Sequence, residues 1–485
     1  MCGYRGGDCG GDVNTQTDYA SFIRAKKPES KSHGFKPTLP MNRHLFDWQR
    51  RVVEWAIRRG RAALFEECGL GKSLQQLEWS RHVWAKTKRP VVIHCPVAVR
   101  EQTRREAEKF EIAAPIAVVD DQDEVINGLN LINYEKMHKF DASIFGGVVL
   151  DESSVLKNFV GKTKRQLCDA YSHTQYRLAC TATPAPNDYM ELGNHSDFLG
   201  ILKSNEMLSR WFINDTMKAG GYRLRRHGEG DFWEWVASWA VCIGTPSDIG
   251  GDDEGYTLPG LQVHEHVVDV QPEAPDGLLF AIDSVNATSI HREKRASATA
   301  RAAKVLELVE KRVDPQIVWC DSNYEADAIV EEINGESFVE VRGDHSEKEK
   351  ESAILAFING TKRILVTKPE IAGFGLNLQH CNSAIFVGLS YSFERYYQAV
   401  RRTYRFGQKR PVTIDVITTP AERVAAKAVW AKQDQHKLMQ SGMAAAMRGA
   451  SLVNLGVDVR RREYQPTTNM VKPSWLARKE STCEC

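Results

Sequence analysis

The sequence predicts an α/β protein of two tandem lobes, each a parallel sheet covered by helices, with an insert between them. Three observations carry this expectation. Apolar runs of strand length alternate with helical patterns in two separate regions, one starting at His44 and one near Val267. A glycine loop, Gly69-Leu70-Gly71-Lys72-Ser73, stands between a strand and a helix of the first region. The stretch from Ile201 to Glu265, rich in Trp, Gly and Arg, fits neither pattern. A chain of 485 residues is also too long for one ordinary core.

Along the chain, residues 1–40 are rich in Gly, Lys, Ser and Pro without periodicity and are expected to form a loose arm. The first lobe, expected over 41–200, opens with a helix at Trp48–Ile57 and a buried strand at Arg61–Phe65. A helix over Ser73–Trp84 and a strand over Val91–Cys95, closed by Pro96, follow. Val148–Leu150 is a strand ending at an acidic pair, and Arg177–Cys180 is a fourth strand. The insert occupies 201–265. The second lobe, 266–440, has strands at Gln316–Cys320, Arg363–Thr367, Ala384–Val387 and Val412–Val416 and a helix at Glu325–Ile333. A helical run from Pro420 reaches about Met447, and 441–485 is read as an irregular tail.

A net charge of +1 does not announce a nucleic-acid partner, so any electrostatic footprint must be a local groove. The 11 cysteines lack paired spacing and are expected to be free thiols in a reducing compartment. No apolar segment reaches membrane-spanning length and the first residues carry no apolar core of a leader, so a cytoplasmic location with no membrane partner is expected.

The glycine loop has the chemistry of a phosphate cradle. Gly69 and Gly71 let the backbone fold around an anion, the helix-start amides point at it, Lys72 supplies charge, and the Ser73 hydroxyl can ligate Mg²⁺. Glu66 stands where the strict pattern has its first glycine, so the loop alone could also be a surface turn. Asp151-Glu152, at the carboxyl end of a strand, strengthens the site: Asp151 can hold Mg²⁺ and Glu152 can deprotonate water. An acidic pair by itself could be a solvated strand end.

With these residues in place the chain resembles the superfamily-two helicases and translocases, and within them the Swi/Snf-like branch in its compact, phage-type form. Gly69–Lys72 resembles the branch's first motif, Asp151–Asn158 its second and Thr181–Leu192 its third. Gly373-Phe374-Gly375-Leu376-Asn377-Leu378 and the run Gln398, Arg402, Arg405, Gly407-Gln408 are similar to its last motifs. The resemblance covers residues 44–416 in the family's order. It implies two RecA-like lobes, ATP with Mg²⁺, and arginines Arg402 and Arg405 reaching the nucleotide from across a cleft. It also implies that Gln49 reads the adenine edge, that Leu70, Gly375 and Gln398 line the nucleotide, and that Pro96, Asn133, Tyr134 and Asn377 follow the nucleic-acid backbone. Arg402 and Arg405, three apart, would share a helical face; a solvated or purely DNA-facing arginine surface is the alternative.

Two departures bear on coupling between nucleic acid and ATP. Ser154 stands where relatives usually have His, and Pro186 where they commonly have Gln. The hydroxyls of Ser154, Thr181 and Thr183 are expected to supply a substitute hydrogen-bonded link. In the insert, Phe232, Trp235, Val236 and Trp239 have the spacing of a buried helical stripe, while Arg223, Arg225 and Arg226 could meet DNA phosphates. The expected activity is a nucleic-acid-dependent ATPase that translocates on DNA, duplex in preference to single strand, with replication or recombination proteins as partners. A strand-separating helicase, a non-catalytic nucleic-acid-binding scaffold and a P-loop kinase are the competing readings.

Overall fold

Strands that are apolar along their whole length need cover on both faces, and this chain uses them in that way. The computed structural model describes residues 32–157, 161–215, 221–268, 293–372, 378–389, 392–420 and 422–456. In the first lobe lie β1 (Arg61–Glu66), β2 (Val91–Cys95), β3 (Ile116–Val118), β4 (Leu129–Asn133), β5 (Gly147–Asp151) and β6 (Tyr176–Thr181). A hairpin of β7 (Phe212–Asp215) and β8 (Gly221–Leu224) follows, and then β9 (Ala240–Ile243). Seven of these form one sheet in the order β3-β4-β2-β5-β6-β1-β9, every pairing parallel. The second lobe has β10 (Leu261–Val267), β11 (Gln316–Trp319), β12 (Phe338–Val341), β13 (Ile364–Thr367), β14 (Ser383–Val387) and β15 (Val412–Thr418). They are parallel too, in the order β10-β15-β14-β11-β13-β12.

Three expected boundaries move. The stretch 201–265 is not a separate insert: β9 pairs with β1 as a seventh strand of the first sheet, and β10 pairs with β15 at the edge of the second. Among the described strands, the β7–β8 hairpin stands outside both sheets. The reasons are local. β9 is four residues long and follows directly on an aromatic helix, and β10 is an edge strand whose Gln262, His264 and Glu265 need no apolar cover. The helix Glu229–Ala237 buries Phe232, Trp235 and Val236 as the spacing predicts, with Trp239 buried just past its end. Trp233 is buried as well, its ring edge-on to Tyr189 at 5.0 Å.

The cover over that helix comes from the far end of the chain. The helix Arg423–Asn454 has 32 residues and is therefore about 48 Å long. Its Ala426 and Val429 belong to the second lobe's core, whereas Met439, Met443 and Met447 belong to the first lobe's. The expected division at 440/441 thus falls inside one helix that ties the lobes together. The described part of the expected arm is also bound: the His33 amide donates to Arg59 O at 2.9 Å, and Phe35 packs edge-on to Tyr176.

Met443, 2% exposed, tests the strut. Met443→Ala should cost about 2–5 kcal/mol, read as a lower denaturant midpoint by intrinsic fluorescence. An unchanged midpoint would show that the helix does not dock on the first lobe.

Candidate nucleotide site between the lobes

Parallel pairing brings the carboxyl ends of β1, β5 and β6 to one edge, the edge where open α/β sheets bind ligands. The register sets Phe65 opposite Thr181 and Asp151 opposite Cys180, so Glu66, Asp151 and Thr181 lie side by side. From Glu66 the chain folds through Gly69 (φ 91°) and Gly71 (φ 81°), both left-handed, and enters the helix Lys72–Thr87. That helix has no side-chain cap at Gly71, leaving its first amides for an anion. The left-handed backbone is what favours glycine at position 71, and a Cβ there would also come within 2.5 Å of Gln49 Nε2 and displace that side chain. Gln49 is buried and works on the loop itself, donating from Nε2 to Leu70 O at 2.8 Å while its Oε1 accepts from the Phe46 amide at 2.9 Å. Lys72 Nζ donates to Glu66 O at 2.7 Å and Glu67 O at 3.1 Å, and so caps the loop's own carbonyls.

Around this lysine the fold buries acids. Glu66 is fully covered, and burial pushes its carboxyl up to about 7 against the pull of Lys72 and a 2.7 Å hydrogen bond from Gln75. Burial, reinforced by Glu152, also raises Asp151 to about 7, with Lys72 opposing. Glu152 is raised by burial, opposed by Lys72 and by Arg402 of the other lobe. Its backbone is left-handed (φ 56°), uncommon for a residue with a side chain, and its Oε2 is buried without a hydrogen-bond partner. Glu67 behaves oppositely. Burial would raise it, but Arg401, the Tyr397 hydroxyl and the Cys68 amide hold it at about 2.

The second lobe contributes through the helix Phe393–Thr403 and the turn after it. The expected shared helical face of Arg402 and Arg405 does not form, because the helix stops at Thr403 with Tyr404 as its C-cap. Arg402 is in the last turn, buried, its Nε donating to Gln398 O at 3.1 Å, and Arg405 is in the turn that Gly407 (φ 88°) closes. The Gln398 carboxamide is buried with neither its N nor its O partnered. Burial lowers Arg405, with Arg402 adding to the effect. Several residues at this junction escaped the sequence reading. Arg401 meets Glu67 Oε1 at 2.8 Å, and the Tyr397 hydroxyl donates to the same oxygen. Phe406 lies against Gly69, where a Cβ would come within 2.9 Å of it, and its ring packs on Tyr256 at 4.5 Å. The only sequence signals were an extra arginine beside Arg402 and an acid inside the loop. Lys157–Glu394 and Arg105–Glu351 also pair across the lobes. Gly375 and Asn377 lie outside the described residues.

This two-lobed geometry agrees with family models. The model described as the SNF2-related domain matches residues 48–227, and that described as the helicase conserved C-terminal domain matches residues 300–407. The chain belongs to the Swi/Snf-like branch of the superfamily-two helicases. It is an ATP hydrolase whose activity depends on nucleic acid. A Bacillus subtilis (strain 168) protein named uncharacterized ATP-dependent helicase YqhH is 25% identical over 427 residues, 76% of this chain and 74% of the relative. A Caenorhabditis elegans homolog of the SWI/SNF-related, matrix-associated, actin-dependent regulator of chromatin subfamily A-like protein 1 is 29% identical over 30% of this chain and 23% of its own. Among solved structures, the Sulfolobus solfataricus SWI2/SNF2 ATPase core in complex with dsDNA aligns over 87% of this chain and 99% of that one, at 18% identity and a TM-score of 0.41.

Within this Swi/Snf-like chain the hydrogen bonds around Ser154, Thr181 and Thr183 differ from the expected set. The Thr181 hydroxyl accepts from the Thr183 amide at 3.1 Å, and the neighbouring Ser153 hydroxyl, not that of Ser154, meets His195 Nε2 at 3.1 Å. Ser154 is buried one residue too far along the turn to share either bond. The Thr183 hydroxyl is buried without a partner. Two of the positions expected on nucleic acid turn inward. Asn133 is buried and accepts from the Glu135 amide at 3.2 Å; Tyr134 stacks on His94 and donates its hydroxyl to Asp151 O at 2.7 Å. Tyr134 thus braces the acidic strand end and Asn133 caps its own turn, at the end of an inner strand of the sheet. Pro96 is half-buried at the start of a short turn, Val97–Val99. Arg225 is spent on Phe212 O and Ser209 O, at 3.1 Å each, whereas Arg223 is exposed on the hairpin.

The donor set fits a magnesium–triphosphate. Glycine conformations leave a cradle, Lys72 rests on carbonyls it can exchange for phosphate, and Glu152, Thr183 and Gln398 keep unpartnered buried polar atoms around it. Among the described residues no helix is long and apolar enough to cross a membrane.

The buried Glu66 gives a test by pH. Its carboxyl rises from 4.5 to about 7 on folding, so the folded state holds the proton more tightly than the unfolded chain. The stability this contributes is complete below about pH 4.5 and is lost as pH rises through about 7, at most roughly 3 kcal/mol. Glu66→Gln should flatten the fall in unfolding free energy across that window in the nucleotide-free protein. A variant with the wild-type slope would place that titration elsewhere.

Proposed function

We propose that this nucleic-acid-dependent ATPase is a double-stranded DNA translocase that couples hydrolysis to closure of its two lobes. The observation that carries the reading is electrostatic. Arg401 of the second lobe meets Glu67 of the phosphate loop at 2.8 Å, and the adjacent Arg402 opposes the effect of burial on Glu152, so the site is complete only when the lobes meet. Lys72 exchanges the loop carbonyls for the β- and γ-phosphates, and the amides following Gly69 and Gly71 hold the rest of the triphosphate. Gln49, already fixing Leu70, carries the adenine edge. Ser73 and Asp151 would hold Mg²⁺, which supplies charge neutralisation on the phosphate oxygens. Glu152 takes the proton of the attacking water, and Arg402 and Arg405 offset the charge that develops on the γ-phosphoryl group.

Duplex DNA as the track is supported by the branch and by relatives named for chromatin, including the C. elegans regulator and a Schizosaccharomyces pombe chromatin structure-remodeling complex subunit. The exposed Arg223 offers one phosphate contact outside the sheets. Work of this kind suits the remodelling of forks, recombination intermediates or DNA-bound proteins. The B. subtilis relative's name keeps strand separation as the second reading.

ATP turnover measured with no nucleic acid, single-stranded DNA, duplex DNA and RNA should rise most with duplex. Displacement of a third strand from a triplex should accompany it without separation of the duplex; strand separation instead would favour the helicase. Arg402→Ala should lower turnover by roughly 10³–10⁵-fold while nucleotide still binds. Stimulation by RNA alone would sink the duplex-DNA reading.

A further inference from the structure

Among the described residues three ion pairs join the two sheets' lobes, and of these Lys157–Glu394 and Arg105–Glu351 are part-exposed at one or both ends. Such pairs contribute little and are screened by salt. Glu67–Arg401 differs, since both side chains are only 12% exposed. Glu67 lies within the phosphate loop, one residue past the end of β1, and its Oε1 is engaged from three sides. The Arg401 guanidinium reaches it at 2.8 Å, the Tyr397 hydroxyl donates to it, and the Cys68 amide donates at 2.6 Å. Arg401 in turn is clasped over the rings of Tyr397 (5.5 Å) and Tyr404 (5.6 Å), and donates to Tyr404 O at 3.2 Å. A guanidinium held between two aromatic faces with a fixed carboxylate has little freedom left.

The sequence position gives this clasp its consequence. Arg401 immediately precedes Arg402 and lies in the last helical turn, and Tyr404 caps the helix before Arg405. Fixing Arg401 and Tyr404 on the loop therefore fixes the stretch of backbone from which both phosphate-directed arginines project. We infer that Arg401, with Glu67 and Tyr397, is a positioning residue for hydrolysis: it docks the arginine-bearing helix end onto the phosphate loop so that Arg402 and Arg405 arrive in register. Arg401 acts through its neighbours, because its own charge is consumed by Glu67. The inference rests on the two-lobed ATPase reading above and adds to it the device that sets the lobes' alignment. It predicts a loss in turnover in place of a loss in ATP affinity, since the cradle around Lys72 does not include Arg401.

The test is a double-mutant cycle of Glu67→Gln and Arg401→Gln, with Arg401→Lys as a charge-keeping variant. Turnover on saturating duplex DNA would be read beside hydrogen exchange of the segment 64–71 without nucleotide. Each single variant should lose roughly ten- to a hundred-fold in kcat with KM for ATP within about threefold of wild type. Loop exchange should quicken in both, and the double variant should be no worse than the poorer single one. Arg401→Lys, which keeps charge but not the planar clasp, should fall between. Undiminished kcat in the single variants, losses that multiply in the double, or a rise in KM with kcat kept would each overturn the inference. So would a gain in turnover, which would make the pair a lock. A wild-type protein inactive on every nucleic acid would defeat the functional reading; the exchange cycle would still judge the pair, and unchanged loop protection would overturn it.

Discussion

Four carboxylates gathered around one lysine set the terms for this structure. Glu66, Glu67, Asp151 and Glu152 all sit at the carboxyl edge of the first sheet, and among the described residues of the first lobe Lys72 is the cation set against them. Low-dielectric surroundings make such a concentration of negative charge costly unless it is protonated or paired. The chain uses both remedies. Glu66 and Asp151 hold their protons to about 7, while Glu67 is kept ionised by Arg401 from the other lobe. The first lobe alone is electrostatically unfinished. Its incompleteness favours whatever brings positive charge, whether the second lobe's arginines or a cation arriving with a nucleotide.

That dependence would be of little use if the lobes were free to drift apart. The helix Arg423–Asn454 limits them, because one continuous rod carries side chains of both cores. Its grip on the first lobe is apolar, through Met439, Met443 and Met447, with Asn454 donating to Ala237 O at 2.8 Å near its end. Methionine suits such a surface, since an unbranched side chain tolerates small sliding without leaving a void. Lobe movement must then take place about this rod or by bending it. The rod thereby limits the approaches open to the cross-cleft contacts, and in this arrangement Phe406 faces Gly69.

How much of this could be read in the sequence follows from what each residue touches. β1, β2, β5 and β6 were legible because a strand buried on both faces must be apolar throughout. β4 was not, since Asn130 interrupts it; in the fold that carboxamide bonds Ile126 O at 3.0 Å and Gly128 O at 3.2 Å, which a one-dimensional pattern cannot show. Lys72, Asp151 and Glu152 stood out because their chemistry depends on sequence spacing alone. Glu67 and Arg401 are 334 positions apart, and only folding reveals that each is the other's partner. Asn133 and Tyr134 differ in the opposite sense. Motif resemblance places them on nucleic acid, whereas in the fold Asn133 caps its own turn through the Glu135 amide and Tyr134 donates to Asp151 O.

The segment read as an insert changes most in meaning. Its hairpin begins at Phe212, whose ring packs against Phe232 at 5.5 Å, and Phe232 continues through Trp235 to Trp239. Trp239 O accepts from the Ala63 amide, and β9 then runs beside β1 as far as Glu66, the residue that opens the phosphate loop. Beyond β9, Tyr256 reaches Phe406 at the mouth of the cleft. An exposed arginine on the hairpin, Arg223, is thus joined by unbroken packing to the strand that carries the nucleotide loop. Close-packed interiors transmit displacement instead of absorbing it. A load on the hairpin therefore has a mechanical path to Gly69 and Lys72 that bypasses the turn after β5. The packing that links the hairpin to β1 does not pass through the residue at position 154.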